Sequence, residues 1–272
     1  MRIALVQQHA TTDRRENLAR GLEAARAAAR DGAQVIAFAE LAFEPFYPQR
    51  PAGPGAIVLA ESIPGPTTVA CSRLAAELGV VLLPNLYERS GDAAHDTTAV
   101  IDVDGRLLGR QRMLHIPDYA GFHEKSYYAP GDLGVPVFDT RFGAIGIAIC
   151  YDRHYPEVLR ALALGGAQVV FVPQAGAIGE WPEGLFEAEL RVASFHNGIF
   201  TALCNRVGEE ETLTFAGESF ACNPAGVVVA QAGAGTDEIL VCNLDLDEVE
   251  RSHARRLFLP DRRPELYREW TR

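Results

Sequence analysis

Short apolar runs alternate with longer amphipathic segments along most of this chain. The runs are four to eight residues long and are bounded by Gly, Pro or polar residues, a pattern typical of buried strands. The longer segments space their apolar residues for one helical face. These segments predict helices over residues 14–30, 67–78, 156–164 and 183–197. Asp13 is expected to cap the first helix, because its carboxylate can accept hydrogen bonds from free N–H groups of the first turn.

The same order of elements occurs twice. GAQVIAFAE (32–40) is echoed by GGAQVVFVPQ (165–174), and a hairpin around Asp104-Gly105 is echoed by one around Ala225-Gly226. Each half also contains an apolar run, 79–89 and 198–208, that predicts one strand. Two mixed sheets with helices on their outer faces would bury each other's inner faces. The sequence therefore predicts an α/β fold, a four-layer α-β-β-α sandwich built from two similar halves, as one domain over residues 1–272.

Composition excludes several classes of protein. The net charge is −11, with 25 Lys and Arg against 36 Asp and Glu, so a nucleic acid is a poor partner. No leader pattern and no long apolar run appear, and we expect a cytoplasmic protein without a membrane partner. Five cysteines lack CxxC spacing and seven histidines lack HExxH. The sequence therefore predicts no metal, no cofactor, and reduced cysteines of which one carries chemistry.

Candidate chemistry lies where predicted strands end. In FGAIGIAICYDRHYPE (142–157), the apolar strand ends on Cys150, and a cluster of polar residues follows before Pro156 opens a helix. Glu40 ends another buried strand, although such a residue could also face solvent. The carboxyl ends of strands in α/β sheets are common ligand sites. The loop 113–132 is rich in His, Tyr, Pro and Gly and is long enough to indicate function.

These residues resemble the nitrilase, or carbon-nitrogen hydrolase, superfamily over essentially the whole chain. Glu40 in AFAELAF, Glu124 in FHEKSYYAPGD and Cys150 in AICYDRHYPE match its three separated motifs in order. The resemblance implies that Glu40 takes a proton from Cys150 and that Glu124 is a second catalytic carboxylate. The thiolate would attack a small N-carbamoyl or amide compound, or a nitrile, to give a thioester that water hydrolyses. It also implies a homodimer or larger homo-oligomer.

One position departs from the family pattern. The resemblance implies a catalytic lysine two residues before His115, where this chain has Met113. A thioether cannot donate a hydrogen bond to the charge that develops in a tetrahedral intermediate. Three hypotheses follow. A nearby cation replaces the lysine, either Arg112 redirected by a β-bulge or Lys125. The site instead acts on an easier bond or another group, or the protein is a catalytically silent ligand-binding member of the same fold.

Two resemblances indicate different substrates, one with a carboxylate end and one with a cationic end, so the substrate preference stays open. Cys-Tyr-Asp-Arg is similar to the N-carbamoyl amino acid amidohydrolases, including β-ureidopropionase, in which Arg153 would clamp a carboxylate; alternatively Arg153 pairs with Asp152 or Glu157. The ending DRRPELY resembles N-carbamoylputrescine amidohydrolases, which prefer a cationic end. The further candidate substrate contacts are Gln174, Tyr47, Tyr119, His154 and Trp181. His154 could instead cap a helix, and the aromatic residues could be core.

The final segment, 245–272, lacks a strong core pattern. Its apolar residues Leu257, Phe258 and Leu259 are expected to pack across the domain or, at a subunit interface, against a partner copy.

Overall fold

The computed structural model describes residues 1–270, and two sheets form its centre. The first half of the chain contains β1 (Arg2–Gln7), α1 (Arg14–Arg30), β2 (Val35–Phe38), α2 (Pro66–Leu78), β3 (Val81–Leu83), β4 (Asn85–Ser90), β5 (Ala93–Ile101) and β6 (Leu107–Arg112). The second half contains β7 (Phe138–Thr140), β8 (Gly143–Ile147), α3 (Pro156–Leu164), β9 (Val169–Gln174), α4 (Leu185–Asn197), β10 (Phe200–Asn205), β11 (Val207–Glu209), β12 (Thr214–Ala216), β13 (Phe220–Cys222) and β14 (Val228–Gln231). The chain then continues through β15 (Glu238–Asn243), α5 (Asp247–Arg251) and α6 (Pro264–Trp270).

Each half builds a sheet on the same plan. In the first sheet β1, β2 and β3 are parallel, β5 joins β3 antiparallel, and β5 also pairs with β4 and β6. In the second, β8, β9 and β10 are parallel, and β13 and β14 follow antiparallel. The strand β15 returns to the first sheet beside β1. The repeat that the sequence predicts is therefore present in the topology.

The two sheets pack face to face. The strands β1 and β2 contact β9 and β10 across the interior, while α1 and α2 pack together over the first sheet and α3 and α4 over the second. The Cys204 thiol reaches across from β10 to the carbonyl oxygen of Val6, 3.3 Å away. The predicted four-layer order of helices, sheets and helices is confirmed.

The predicted helix bounds agree with the structure to within two residues, and Asp13 caps α1 by accepting from the N–H groups of Arg15 and Glu16. Two strand predictions are wrong. The run 79–89 is divided into β3 and β4 at Pro84, which has no N–H for the ladder. The run 198–208 ends as β10 at Asn205, because the following residues leave the sheet to pair as β11 with β12.

The C-terminal segment packs partly on its own chain. Val249 and Ala254 are fully buried, and the Phe258 ring rests on Phe195 of α4 with ring centroids 5.3 Å apart. Leu257 and Trp270 are 53% and 69% exposed. A subunit interface at this segment stays a prediction. The last two residues of the segment, 271 and 272, lie outside the described residues. Within residues 1–270, no helix combines the length and apolar composition needed to cross a membrane.

Candidate active site

Cys150 opens a tight turn directly after the second sheet. A single 3-10 turn, Cys150–His154, connects the β8 segment to α3. Cys150 has a φ of 45°, a left-handed conformation that costs an ordinary side chain about 1–3 kcal/mol. Arg153 holds the turn by donating from Nη1 to the Cys150 carbonyl oxygen at 2.9 Å. The thiol lies in a buried site at the strand end, and the strained backbone fixes its direction.

Glu40 also lies beside a strained residue. Leu41, which follows it, has a φ of 46° and donates its N–H to the Asn85 side-chain oxygen at 2.8 Å. The buried guanidinium of Arg206 donates to the carbonyl oxygen of Glu40 at 2.9 Å and to that of Leu41. This backbone therefore has hydrogen bonds from two sides that hold the Glu40 side chain in place.

The Glu40 carboxyl is fully buried, so the solvent-facing alternative is wrong. Burial, followed by the nearby Glu124, raises its pKa to about 8, while Asp96, Cys150 and Arg206 act in the opposite direction. No N–H group in the part of the chain that the structure describes donates to Glu40, whose hydrogen-bonding neighbours are the Cys150 thiol and the Asp96 carboxyl. Glu40 therefore lies against the thiol without the donors that usually accompany a buried carboxylate.

Glu124 comes from the long loop and has the same character. It begins a short 3-10 turn, is fully buried, and has no hydrogen-bond donor to either oxygen within residues 1–270. Burial, then Asp96, raises its pKa well above the usual value. Burial, Glu40 and Glu124 likewise raise the pKa of the Cys150 thiol, whereas Arg153 lowers it. The structure thus brings the three predicted catalytic residues into one electrostatically coupled group.

A third acid, Asp96 of β5, belongs to this group, although no sequence motif indicates a functional role for it. Asp96 is fully buried and accepts from Asn85 Nδ2 at 2.6 Å through Oδ1. Its Oδ2 has no hydrogen-bond partner in the described chain. Burial, followed by Glu40, raises its pKa well above the usual value.

Met113 lies on the acidic side of the sheet. Its N–H donates to the Asp96 carbonyl oxygen at 2.9 Å, so the two residues are cross-strand neighbours, and it is fully buried. Arg112 and Thr97 both bind Glu88, which places these three on one face. Side chains alternate along a strand, so Asp96 and Met113 share the opposite face with Glu40.

Neither predicted substitute for the missing lysine enters the site. Arg112 binds Glu88 at 2.7 and 2.9 Å and Asp132 at 2.7 Å. The β5–β6 ladder shifts between Val100 and Ile101, not at Arg112, so no bulge redirects this side chain. Lys125 is exposed. The hypothesis that Arg112 or Lys125 supplies the catalytic cation is wrong for this arrangement.

Asp152 connects the loop to the nucleophile turn. Its carboxylate accepts from the N–H groups of Leu114 and His115 at 3.0–3.2 Å, from His115 Nδ1 at 2.8 Å and from the Ile149 N–H at 3.3 Å. His115 also stacks on Tyr155, with ring centroids 3.5 Å apart. These contacts keep Met113 and Cys150 in a fixed relation.

Arg153 is paired, but not with the acids that its sequence alternatives named. It binds Glu189 Oε2 at 3.1 Å and Gln174 Oε1 at 2.7 Å, and its Nη2 is buried without a hydrogen-bond partner in residues 1–270. Gln174 Nε2 is likewise buried without a hydrogen-bond partner in residues 1–270. His154 Nδ1 contacts Glu189 rather than capping a helix. Arg153 and Gln174 thus offer two unused donors beside Cys150.

The three aromatic residues predicted to contact substrate lie in two places, Tyr119 and Trp181 beside the Cys150 turn and Tyr47 beside Glu44. Tyr119 donates to Glu180 at 2.6 Å and packs against Trp181, which in turn contacts the His154 ring. Glu180 raises the pKa of Cys150, so these rings border the site. Tyr47 donates to Glu44 at 3.0 Å and packs on Tyr87. Residues 1–270 contain no group of three or more His, Cys, Asp or Glu that could hold a metal ion.

Comparison with known proteins gives consistent results. The profile of the carbon-nitrogen hydrolase family matches residues 2–254. An N-carbamoylputrescine amidase from Solanum lycopersicum is 39% identical over 98% of this chain and 93% of its own. The crystal structure of a carbon-nitrogen hydrolase from Helicobacter pylori G27 has a TM-score of 0.93, with 29% identity over 100% of this chain and 98% of that one.

A further solved structure shows covalent chemistry in a relative. It is a glutamate-to-glutamine variant of the amidase from Nesterenkonia sp. AN1, in which the active-site cysteine carries the acetamide moiety of fluoroacetamide. That chain is 29% identical to this one, with a TM-score of 0.83 over 99% of this chain and 96% of its own.

Proposed function

Because the chain belongs to the carbon-nitrogen hydrolase family, we propose that it hydrolyses a non-peptide C–N bond through a thioester on Cys150. The observation that supports this most strongly is the position of Glu40. Its buried carboxyl lies against a thiol that a strained turn presents at a strand end. Glu40 in its ionised form takes the thiol proton, which makes Cys150 a nucleophile.

The proposed reaction has two stages. The Cys150 thiolate adds to the carbon of an amide or ureido group, and the proton held by Glu40 passes to the departing nitrogen. Water then attacks the thioester, with Glu40 as the base and Glu124 orienting the water or the substrate N–H groups. The raised pKa of Glu40, about 8, matches a group that gives and takes a proton near neutral pH.

We propose a small N-carbamoyl or ω-amide compound as substrate. Arg153 and Gln174 are buried beside Cys150 with an unused donor each, which suits an oxygen of a substrate carboxylate or carbonyl group. The similarity to an N-carbamoylputrescine amidase supports the N-carbamoyl class.

Ammonia release from a panel of N-carbamoyl amino acids, N-carbamoylputrescine and dicarboxylic acid monoamides tests this function. We expect Cys150→Ala to lower kcat/KM at least about 10⁴-fold, because the nucleophile is lost. Cys242→Ala, which removes a thiol on β15 in the first sheet, is the matched control and should retain activity. Full activity of Cys150→Ala would contradict the mechanism. Binding without turnover by the unmodified protein would favour a silent ligand-binding member of the fold.

A further inference from the structure

In the part of the chain that the structure describes, the acidic half of the site places three carboxyl groups close together and has few donors beside them. Both oxygens of Glu124 are buried without a hydrogen-bond partner in the described chain, and Glu40 and Oδ2 of Asp96 have no N–H donor there, only each other and the Cys150 thiol. The Tyr128 hydroxyl, on a side chain only 4% exposed, has no hydrogen-bond partner in the described chain, and burial, followed by these three acids, raises its pKa. Buried polar groups without partners are rare and costly, so this group requires an explanation.

Within residues 1–270, no Lys or Arg side chain donates a hydrogen bond to these three acids, although the charge of Arg206 lowers the pKa of Glu40. Arg206 is bound to backbone carbonyl oxygens, including those of Glu40 and Glu44, and to the Glu210 carboxylate. Arg153 has its own acid in Glu189. At the position where a cation would stand, Met113 presents a thioether, which is a weak acceptor and no donor. The site therefore concentrates acidic groups whose ionisation burial opposes, and a ligand with N–H donors and positive charge would pair with them in their ionised form.

A carbonyl substrate and a guanidinium substrate place opposite demands on such a site. Thiolate addition to a carbonyl group creates an oxyanion, which buried carboxylates repel and to which Met113 offers no donor. Thiolate addition to a guanidinium carbon removes a positive charge and creates no oxyanion. The guanidinium group also has several N–H donors in a planar fork that matches carboxylate oxygens.

We propose that the reacting group of the natural substrate is an N-alkylguanidinium, and that the protein is a thiol-dependent guanidino hydrolase that forms an N-alkylurea and ammonia. This inference rests on the proposed function, because it uses the same Cys150 nucleophile. The inference replaces the carbonyl carbon with a guanidinium carbon as the electrophile. The guanidinium group is the one that the residues around it complement, namely Glu40, Glu124, Asp96 and Met113.

The steps balance without a further reactant. Cys150 passes its proton to Glu40, and the sulfur forms a bond to the guanidinium carbon, giving a neutral tetrahedral adduct. Glu40 returns that proton to one NH₂ group, the C–N bond breaks, and ammonia leaves an S-linked isothiouronium cation. Water adds to this carbon and gives one proton to Glu40, which leaves a neutral adduct whose hydroxyl proton passes to ammonia or solvent in the next step. The C–S bond then breaks to release the urea, and the thiolate takes the proton from Glu40.

The test uses matched substrates that differ only in =NH₂⁺ against =O. Agmatine is paired with N-carbamoylputrescine, and 3-guanidinopropionate with 3-ureidopropionate, and ammonia release is measured for all four. We expect kcat/KM for the guanidino member to exceed that of the ureido member at least about tenfold in one pair. Mass spectrometry should identify the ureido compound as the product of the guanidino substrate.

Met113→Lys should reverse the preference. A lysine there would repel the guanidinium and donate to a carbonyl oxygen, so the guanidino-to-ureido ratio should fall about 100-fold or more. Val69→Lys adds the same charge on the outer helix α2, where residue 69 is 41% exposed, and should keep the ratio.

The outcomes separate the two proposals. If the unmodified protein hydrolyses the ureido members and not the guanidino members, the guanidinium inference is overturned and the proposed function stands. A ratio that Met113→Lys does not change also overturns the inference. If neither series nor any amide is hydrolysed by the folded protein, both proposals fail.

Discussion

Two kinds of buried acid lie around Cys150, and they differ in their donors. Asp152 is fully buried and accepts from three backbone N–H groups and from His115. Glu40 and Glu124 are as deeply buried, but no N–H group of the described chain donates to either, and Glu40 has only the Cys150 thiol and the Asp96 carboxyl beside it. Burial therefore does not distinguish a structural acid from a candidate catalytic one. The number of hydrogen-bond donors distinguishes the two kinds of acid. A carboxylate with several donors holds the fold together, and a carboxylate with few donors is available to a proton or a ligand.

The largest effect on stability is expected at the satisfied acid. Asp152→Asn should lower the free energy of unfolding by about 3 kcal/mol or more, because an NH₂ group would face N–H donors that lose their acceptor. Denaturant unfolding of the variant measures this loss. Asp139→Asn, at an exposed position of β7, is the matched control and should change stability by less than about 0.5 kcal/mol. An equal, small effect at both positions would mean that Asp152 is not the structural acid of the site.

The smallest effect is expected at the exposed cation beside the unsatisfied acids. Lys125 follows Glu124 in the chain but is exposed and outside the site. Lys125→Met should change kcat/KM for any substrate found by less than about twofold and stability by less than about 0.5 kcal/mol. A loss of about 100-fold, the usual cost of a missing oxyanion donor, would instead identify Lys125 as the replacement for the family lysine.

Most of the fold could be predicted from the sequence, because the two halves repeat both their apolar runs and their hairpin turns. The Asp104-Gly105 turn, for example, predicts the β5–β6 hairpin that the structure contains. The division at Pro84 was missed because both β3 and β4 are buried and continue one apolar run. The end of β10 was missed because pairing of β11 with β12 depends on contacts distant in sequence.

The candidate site was only partly predictable. The places of Glu40 and Cys150 follow from strand ends, whereas Glu124 was identified by its motif, since a Glu-Lys pair in a loop usually faces solvent. Asp96 and Asn85 were missed because a polar residue within a strand pattern does not reveal which face it occupies. The position of Asp96 and Asn85 beside Glu40 follows from the strand register, which the sequence pattern does not reveal. The pairing partners of Arg112 and Arg153 were equally inaccessible, because Glu88 and Glu189 are 24 and 36 residues away.

The raised pKa of Glu40 makes the stability of the folded protein depend on pH in one direction. The folded-state pKa of Glu40 is raised from 4.5 to about 8, so the protonated form is favoured in the folded protein. The stability that this contributes is present in full below the unfolded pKa and is lost as the pH rises through about 8. Glu40→Gln removes this dependence, since an amide does not titrate.

Infrared difference spectroscopy between the unmodified protein and Glu40→Gln, recorded across a pH series, tests this account most directly. We predict a protonated carboxyl C=O band at neutral pH that disappears with a midpoint near the raised pKa of Glu40, about 8. A midpoint near the ordinary value of 4.5 would contradict it, because burial and the nearby Glu124 would then not raise the pKa of Glu40.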